Sequence, residues 1–236
     1  MSLSLTSVSF LSGFRMRLES KKDVRVFLIA AVPLVLSILA LTGWMLDIDL
    51  LKSSSVAHVY MNPLSAVLFV IISIYIISKY KQKTPKPALD TIFSILLITI
   101  VAFRLSDVYF NTRYNIDRSL FKTTITDNRM SPVAAINFVL IAITLAASES
   151  KYKILKKTGS ACVIVSLFVC LIYVSGYVFN FLNNGQVWES HLSFNTGVAF
   201  FNLNLALLFV EKRSLTDFLQ EEKPGSRLFR RISPIL

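Results

Sequence analysis

Glycine, cysteine and histidine are scarce in this chain: its 236 residues include seven glycines, two cysteines and two histidines. The sequence contains no glycine-rich phosphate-binding loop and no nucleophile elbow, which excludes the best-known nucleotide-binding and hydrolase motifs. It also lacks a paired-histidine motif and a cysteine cluster at metal-ligand spacing. No pair of carboxylates lies within an apolar run, so acid–base catalysis has no candidate residues. We therefore expect no enzymatic activity and no bound cofactor.

The few cysteines and histidines are themselves uninformative about chemistry. Cys162 and Cys170 stand eight positions apart, which in a helix separates them by about 12 Å and is too far for a disulfide bond. His58 has no carboxylate residue within five positions, and Glu189 is the single one near His191, which is too few ligands for a metal site. The cysteines are expected to be packing residues, and no metal site is predicted.

Apolar sequence is abundant: 54% of the residues are hydrophobic and only 17% are charged. Six continuous apolar runs approach the ~20 residues that a helix needs to cross a bilayer. They do not alternate with polar residues, which disfavours a β-barrel. The runs lie at 26–46, 63–79, 88–105, 132–148, 158–180 and 194–210. The sequence therefore predicts an all-α fold, a polytopic membrane bundle of six transmembrane helices.

Basic residues are distributed unequally between the two sides of this bundle. Of the 25 lysines and arginines, 19 fall in the two terminal arms and in the second and fourth connections. The positive-inside rule places these segments, and both termini, in the cytoplasm. The expected organisation is a cytoplasmic arm at 1–25, a membrane domain at 26–210 beginning with an uncleaved anchor, and a basic cytoplasmic arm at 211–236. The net charge of +11 fits anionic lipid, so no nucleic-acid partner is predicted.

A short pattern recurs at the start of every second apolar run. Its copies are Met61-Asn62-Pro63-Leu64-Ser65-Ala66-Val67-Leu68-Phe69, Met130-Ser131-Pro132-Val133-Ala134-Ala135-Ile136-Asn137-Phe138 and, without the Met and Pro, Leu192-Ser193-Phe194-Asn195-Thr196-Gly197-Val198-Ala199-Phe200. A pattern that recurs at a roughly constant period indicates one structural unit used several times. The chain is thus expected to contain three helix pairs, each with the motif at the outer start of its second helix.

The motif has two compatible interpretations. Proline fits the first helical turn, where its missing amide costs nothing, and small residues in the following turn let helices approach closely in lipid. The repeat is then a capping and packing device. Alternatively, the three helix starts converge on one pocket that opens outward and is closed toward the cytoplasm.

Polar residues inside a membrane are costly and therefore informative. The candidate ligand-binding residues lie near the motif starts or at the outer mouth: Ser65, Arg104, Arg129, Asn137, His191, Asn195 and Thr196. Interhelical hydrogen bonding is the competing explanation for the asparagines, including Asn204. Arg104 is spaced to form an ion pair with Asp107. Asp90 is explained by exposure at the cytoplasmic interface, and Trp44 is expected to belong to an outer aromatic belt.

The motif Met-x-Pro-x-x-Ala-x-x-Phe at the head of alternate helices resembles the MASE-like, multi-helix membrane sensor modules of bacterial histidine kinases and diguanylate cyclases. The segment Arg129–Phe138 carries the likeness best, together with Ser175-Gly176-Tyr177. The tail at 224–234 resembles the stretch that, in those proteins, leads to a further membrane helix and the output domain. The resemblance implies a sensory input module of the bacterial inner membrane.

Other function classes remain open at the level of sequence. A small transporter or channel is compatible with three helix-pair repeats, although transporter repeats are often inverted and these share one orientation. A structural membrane protein without a ligand is the third class. The expected partners are the lipid bilayer, a small or lipophilic ligand, and a second copy or a signalling protein.

Overall fold

The computed structural model describes residues 21–52, 59–81, 87–110, 130–148, 150–182 and 192–210, and within these ranges all regular structure is helical. The all-α prediction is therefore confirmed. Each predicted apolar run falls within a single helix. The helices are α1 (Lys21–Leu46), α2 (Asp49–Lys52), α3 (Pro63–Lys81), α4 (Pro87–Phe110), α5 (Pro132–Ser148), α6 (Lys153–Leu182) and α7 (Phe194–Val210).

Long and short helices alternate along the chain. The helices α1, α4 and α6 have 26, 24 and 30 residues and contain apolar stretches long enough to cross a membrane, at Val26–Leu46, Ala88–Ser106 and Lys153–Phe179. The helices α3, α5 and α7, which carry the motif, are as apolar but have only 17 to 19 residues. Three helices of spanning length indicate a membrane protein.

The short helices form the inside of the bundle and the long helices its outside. We call α3, α5 and α7 the inner helices and α1, α4 and α6 the outer helices. Each outer helix packs against the inner helix that follows it in the chain, and α1 and α6 also pack against α7 and α5. The chain thus builds three outer–inner pairs.

Three phenylalanines, one from each inner helix, meet at the centre of the bundle. The ring centroids of Phe69, Phe138 and Phe200 lie 4.6 to 5.0 Å apart, and all three side chains are fully buried. The next two turns on the same helix faces are filled by buried aliphatic side chains, namely Ile72, Ile141 and Leu203, then Ile76, Leu145 and Leu207. These positions stand at equal offsets from the motif, so each inner helix contributes the same series of positions to the core.

The outer helices expose large apolar side chains that nothing in the described structure covers. They include Leu28, Ile92, Ile95, Phe168 and Phe179. Soluble proteins rarely expose apolar patches of this extent. These faces are the ones expected to contact lipid.

The end of α1 folds back tightly onto α2. Asp47 adopts a left-handed backbone conformation (φ 54°) after the last helical residue, and Ile48 N donates a hydrogen bond to Gly43 O at 2.9 Å. This is the Schellman geometry of a helix end. A Cβ atom at Gly43 would lie 2.8 Å from Leu51 Cβ and 2.9 Å from the backbone nitrogen of Lys52, so only glycine allows this approach.

Candidate functional site

The three motif starts form the same helix cap. In each copy the side chain before the first helical residue accepts a hydrogen bond from the backbone amide three positions later, as preferred N-cap residues do. The three bonds are Ser65 N to Asn62 Oδ1 (3.1 Å), Ala134 N to Ser131 Oγ (3.1 Å) and Thr196 N to Ser193 Oγ (3.2 Å). The first helical residue is proline in two copies, as predicted, and phenylalanine in the third. The capping interpretation of the motif is confirmed.

Each cap is also tied to its outer helix by one side chain. The residue before the N-cap accepts a hydrogen bond on its carbonyl from a donor near the end of the preceding outer helix. The three bonds are Trp44 Nε1 to Met61 O (2.9 Å), Arg104 Nη2 to Met130 O (3.3 Å) and Tyr177 Oη to Leu192 O (2.7 Å). Trp44, Arg104 and Tyr177 therefore occupy equivalent positions in the three helix pairs.

Removal of one such donor is expected to loosen one helix pair. Tyr177→Phe keeps the ring and deletes only the hydroxyl that bonds Leu192 O. Because a typical hydrogen bond contributes about 0.5–1.5 kcal/mol, the free energy of unfolding should fall by that amount. The measurement is equilibrium unfolding of the purified protein in detergent. Ser175→Ala, which removes a hydroxyl bonded only within α6, is the control and should cost less; an equal loss would contradict a tie between α6 and the third cap.

The small residues of the motif face the interior. Ser65, Ala135 and Thr196 are all buried, and so is Gly197. The motifs therefore face the interior of the bundle and not the lipid. Since residues four apart share a helix face, Ser65 and Thr196 lie one turn from Phe69 and Phe200 of the phenylalanine cluster.

Arg104 is the one charged member of the set of equivalent donors. Its side chain is only 1% exposed, whereas tryptophan and tyrosine perform the same bond in the other pairs without a charge. A buried cation therefore stands in one helix pair where the other two pairs have a neutral aromatic donor. The side chain of Asp107 and the residues Arg129 and His191 lie outside the described side chains, so the predicted ion pair and the predicted rim of the mouth remain predictions.

The asparagines divide into two groups. Asn137 belongs to a polar network between helices, in which Ser166 Oγ donates to Asn137 Oδ1 at 2.6 Å and Asn204 Nδ2 donates to Ser166 Oγ at 2.8 Å. Cys170 Sγ lies 3.8 Å from the same Asn137 oxygen. Asn137 therefore points from α5 toward α6 and not toward the motif start at Ser65. Asn195 is buried near the motif start, where the equivalent residues are Leu64 and Val133.

A second polar cluster, which the sequence did not predict, joins the opposite ends of α3, α4 and α5. Asp90 is only 2% exposed, so its explanation by exposure at the interface was wrong. Its carboxylate accepts hydrogen bonds from Tyr75 Oη, from Lys79 Nζ at 2.8 Å and from Ser148 Oγ at 3.1 Å. Lys79 Nζ also donates to Ser148 Oγ at 2.7 Å. The sequence feature that could have revealed this cluster is the placement of Lys79 and Asp90 at the facing ends of consecutive helices.

The environment of Trp44 also differs from the prediction, which placed this residue in an aromatic belt at the membrane interface. It is buried, and its ring packs edge-on to Tyr60 with centroids 6.0 Å apart. The ammonium group of Lys52 lies 4.9 Å from the centroid of Trp44 and bonds Asp47 and Asp49. Burial by itself would lower the pKa of Lys52, but the hydrogen bonds and charges of the two aspartates outweigh it, so the pKa is raised above its ordinary value.

Among the described residues, no three His, Cys, Asp or Glu side chains gather as a metal site would require. Cys162 and Cys170 are both free thiols, in agreement with the predicted absence of a disulfide between them. No protein-family model, no curated protein and no solved structure matches this chain.

Proposed function

We propose that this chain is a sensory input module of the bacterial inner membrane, with six transmembrane helices and both termini in the cytoplasm. The observation that carries the proposal is one construction that occurs three times. An inner helix is capped, the carbonyl before its N-cap is bonded by a side chain of an outer helix, and its phenylalanine lies at a shared centre. The residues that give the sequence its resemblance to sensor modules are the residues that perform this construction.

The short inner helices are compatible with six spans. At 1.5 Å per residue, 17 residues extend about 25 Å, somewhat less than the ~30 Å hydrocarbon core. Inner helices are shielded by longer neighbours, and a bilayer adapts to a mismatch of a few ångströms at modest cost. The 19 basic residues at one end and six at the other support the proposed orientation.

A channel or transporter is the alternative that the geometry favours least. The axis between the inner helices is filled by three buried phenylalanines and two layers of aliphatic side chains. A sensor needs no path for an ion or solute, since its stimulus acts by a difference in affinity for two helix arrangements. A purely structural protein remains the second candidate, supported by the interhelical bonds of Asn137.

The proposed stimulus acts at the outer ends of the inner helices. The residues that we assign to it are Ser65, Arg104, Arg129, His191, Asn195 and Thr196, whereas Asn137 is assigned to the network between the helices. Arg104 is the strongest of them, because it is the one buried charge among the three equivalent cap-binding side chains. The proposed partners are the lipid bilayer, a small or lipophilic ligand, and a second copy or a signalling protein; no nucleic acid and no catalytic activity of its own are proposed.

The function is tested by joining a histidine kinase output domain to the C-terminus and measuring its phosphorylation in membranes. Arg104→Gln removes the charge and, because the side chain is two atoms shorter, also the bond to Met130 O at the capped end of α5. If the outer ends control helix packing, output should change about fivefold, which corresponds to about 1 kcal/mol between two packings. Phe103→Leu, at an exposed neighbouring position, should leave output unchanged. Equal output from all three proteins would count against a sensory role.

The topology is tested separately by labelling single cysteines in intact cells. Positions 55, 115 and 185 should react with an impermeant reagent from outside, because the basic connections are expected to lie inside. Positions 83 and 154 should react only after lysis. External labelling of either inner position would contradict the six-span, N-in/C-in arrangement.

A further inference from the structure

The three helix pairs are joined by three seams, each between an inner helix and the outer helix that begins the next pair. The seams are α3/α4, α5/α6 and α7/α1. The outer helix lies close to the inner helix in the α5/α6 and α7/α1 seams, whereas α4 approaches α3 much less closely. The repeat therefore contains one wide seam and two narrow ones.

Large side chains explain why the α3/α4 seam is wide. Tyr75 and Phe93 stack across it, with ring centroids 4.3 Å apart and an angle of 6° between the ring planes. The positions equivalent to Tyr75, counted from the N-caps, are Thr144 and Ala206. The positions equivalent to Phe93, counted from the cap-binding donors Trp44, Arg104 and Tyr177, are Ser166 and Pro33.

Small side chains at these positions let the other helices close. In the α5/α6 seam, Thr144 Oγ1 donates to the backbone carbonyl of Gly159 at 3.1 Å. That contact brings a side chain of one helix against the backbone of the next. In the wide seam two aromatic rings occupy the corresponding space, and fewer backbone atoms of the two helices are in contact.

The wide seam is bridged instead by the polar cluster around Asp90. The equivalents of Asp90 in the other outer helices are Ala30 and Val163, and the equivalents of Lys79 are Ser148 and Val210. An ion pair of this kind is thus present in one seam and replaced by small or apolar residues at the same positions of the other two. Because Lys79 is 15% exposed at its side chain while Asp90 is 3% exposed, the lysine can reach water and the carboxylate cannot.

We propose that the α3/α4 seam is the joint at which the bundle opens, and that Asp90 with Lys79, Tyr75 and Ser148 is the latch that holds it shut. Two narrow seams keep their backbone packing when the latch is released, so movement is confined to one place. Interfaces with two discrete packings are the usual source of such switching. The role of this joint in signalling rests on the proposed sensory function. Its opening is a movement of helices that can be measured without any signal.

The latch is tested by distance measurements between spin labels on the full chain in lipid nanodiscs. One pair of labels reports on the wide seam, at Ile74→Cys on α3 and Ile95→Cys on α4. A second pair reports on a narrow seam, at Ile136→Cys on α5 and Phe168→Cys on α6. All four positions are exposed, and the native cysteines are replaced by Cys162→Ser and Cys170→Ala.

Asp90→Asn is the informative variant, because it removes the negative charge of Asp90 and preserves the size of that side chain. The expected result is a second population at longer distance between α3 and α4, with an unchanged distribution between α5 and α6. Ser94→Ala, one turn further along α4 and bonded only within that helix, is the matched control and should leave both distributions unchanged. Thr144→Val removes the hydrogen bond to Gly159 O across the α5/α6 seam. The distance distribution between α5 and α6 should nevertheless stay unchanged.

Two results would overturn the proposal. An unchanged α3/α4 distribution in Asp90→Asn would show that the cluster does not hold the seam, and broadening of both pairs would show a general loss of the fold. Neither depends on signalling. A response to Arg104→Gln in the kinase fusion together with an immobile α3/α4 seam would leave the proposed function intact and reject only the latch.

Discussion

Phe138→Ala is expected to lower the free energy of unfolding by about 3–5 kcal/mol, the range for removal of a large buried side chain. Phe138 contacts both other central rings, at centroid distances of 5.0 Å to Phe69 and 4.6 Å to Phe200, and is fully buried. In lipid, helices associate through packing more than through the hydrophobic effect. An empty space at the point where all inner helices meet should therefore weaken the whole bundle.

The matched control for this prediction is Phe168→Ala. Phe168 is 64% exposed on the outer helix α6, so the same deletion leaves no cavity and should change stability by no more than about 0.5 kcal/mol. Unfolding of both variants in detergent, followed by circular dichroism against denaturant, provides the comparison. Similar losses for the two variants would contradict a bundle centred on the phenylalanines.

The positions of the helices were predictable from sequence because the signal is strong. Apolar runs separated by basic connections give the elements, and the chemistry of Pro63 and Pro132 gives the starts of two inner helices, which the structure places at these residues. N-cap bonds depend on residues three positions apart and are local. Local interactions can be inferred from a short segment of sequence.

Burial was the property that the sequence did not predict well. A helix in lipid is apolar on both its buried and its exposed face, so hydrophobicity does not distinguish them. Trp44 was assigned to the membrane interface and Asp90 to exposure for this reason, and both are buried. Their partners are Met61, just before the cap of α3, and Lys79 on α3, and which segments are neighbours depends on the tertiary fold.

The internal repeat contains part of the missing information. Phe69, Phe138 and Phe200 stand at the same offset from their N-caps, and a residue that recurs at a fixed place in all copies is a candidate for the shared centre. Departures from the repeat are equally informative. Arg104 among aromatic donors, Asp90 among apolar equivalents, and Lys79 against Ser148 and Val210 are places where one pair differs from the others in charge.

Ala135→Leu is expected to destabilise the bundle by about 1–3 kcal/mol, the usual cost of adding bulk to a packed interior. Ala135 is 1% exposed, and its equivalent in the third copy is Gly197. A Cβ atom at Gly197 would already lie 3.2 Å from Val174 Cγ2 of α6. Gly197 therefore lies where α7 approaches its own outer helix α6, and Gly197→Leu should be at least as damaging as Ala135→Leu.

Ala146→Leu tests whether burial, and not the substitution itself, causes the loss. Ala146 lies on the same helix as Ala135 but is exposed, and alanine and leucine are both good helix formers. Its stability in detergent should stay within about 0.5 kcal/mol of the parent protein. If Ala135→Leu and Ala146→Leu had the same effect, the motif would be a plain helix start. A loss confined to Ala135 and Gly197 would instead support close packing of all three helix pairs at their outer ends, because the equivalent Ala66 is equally buried.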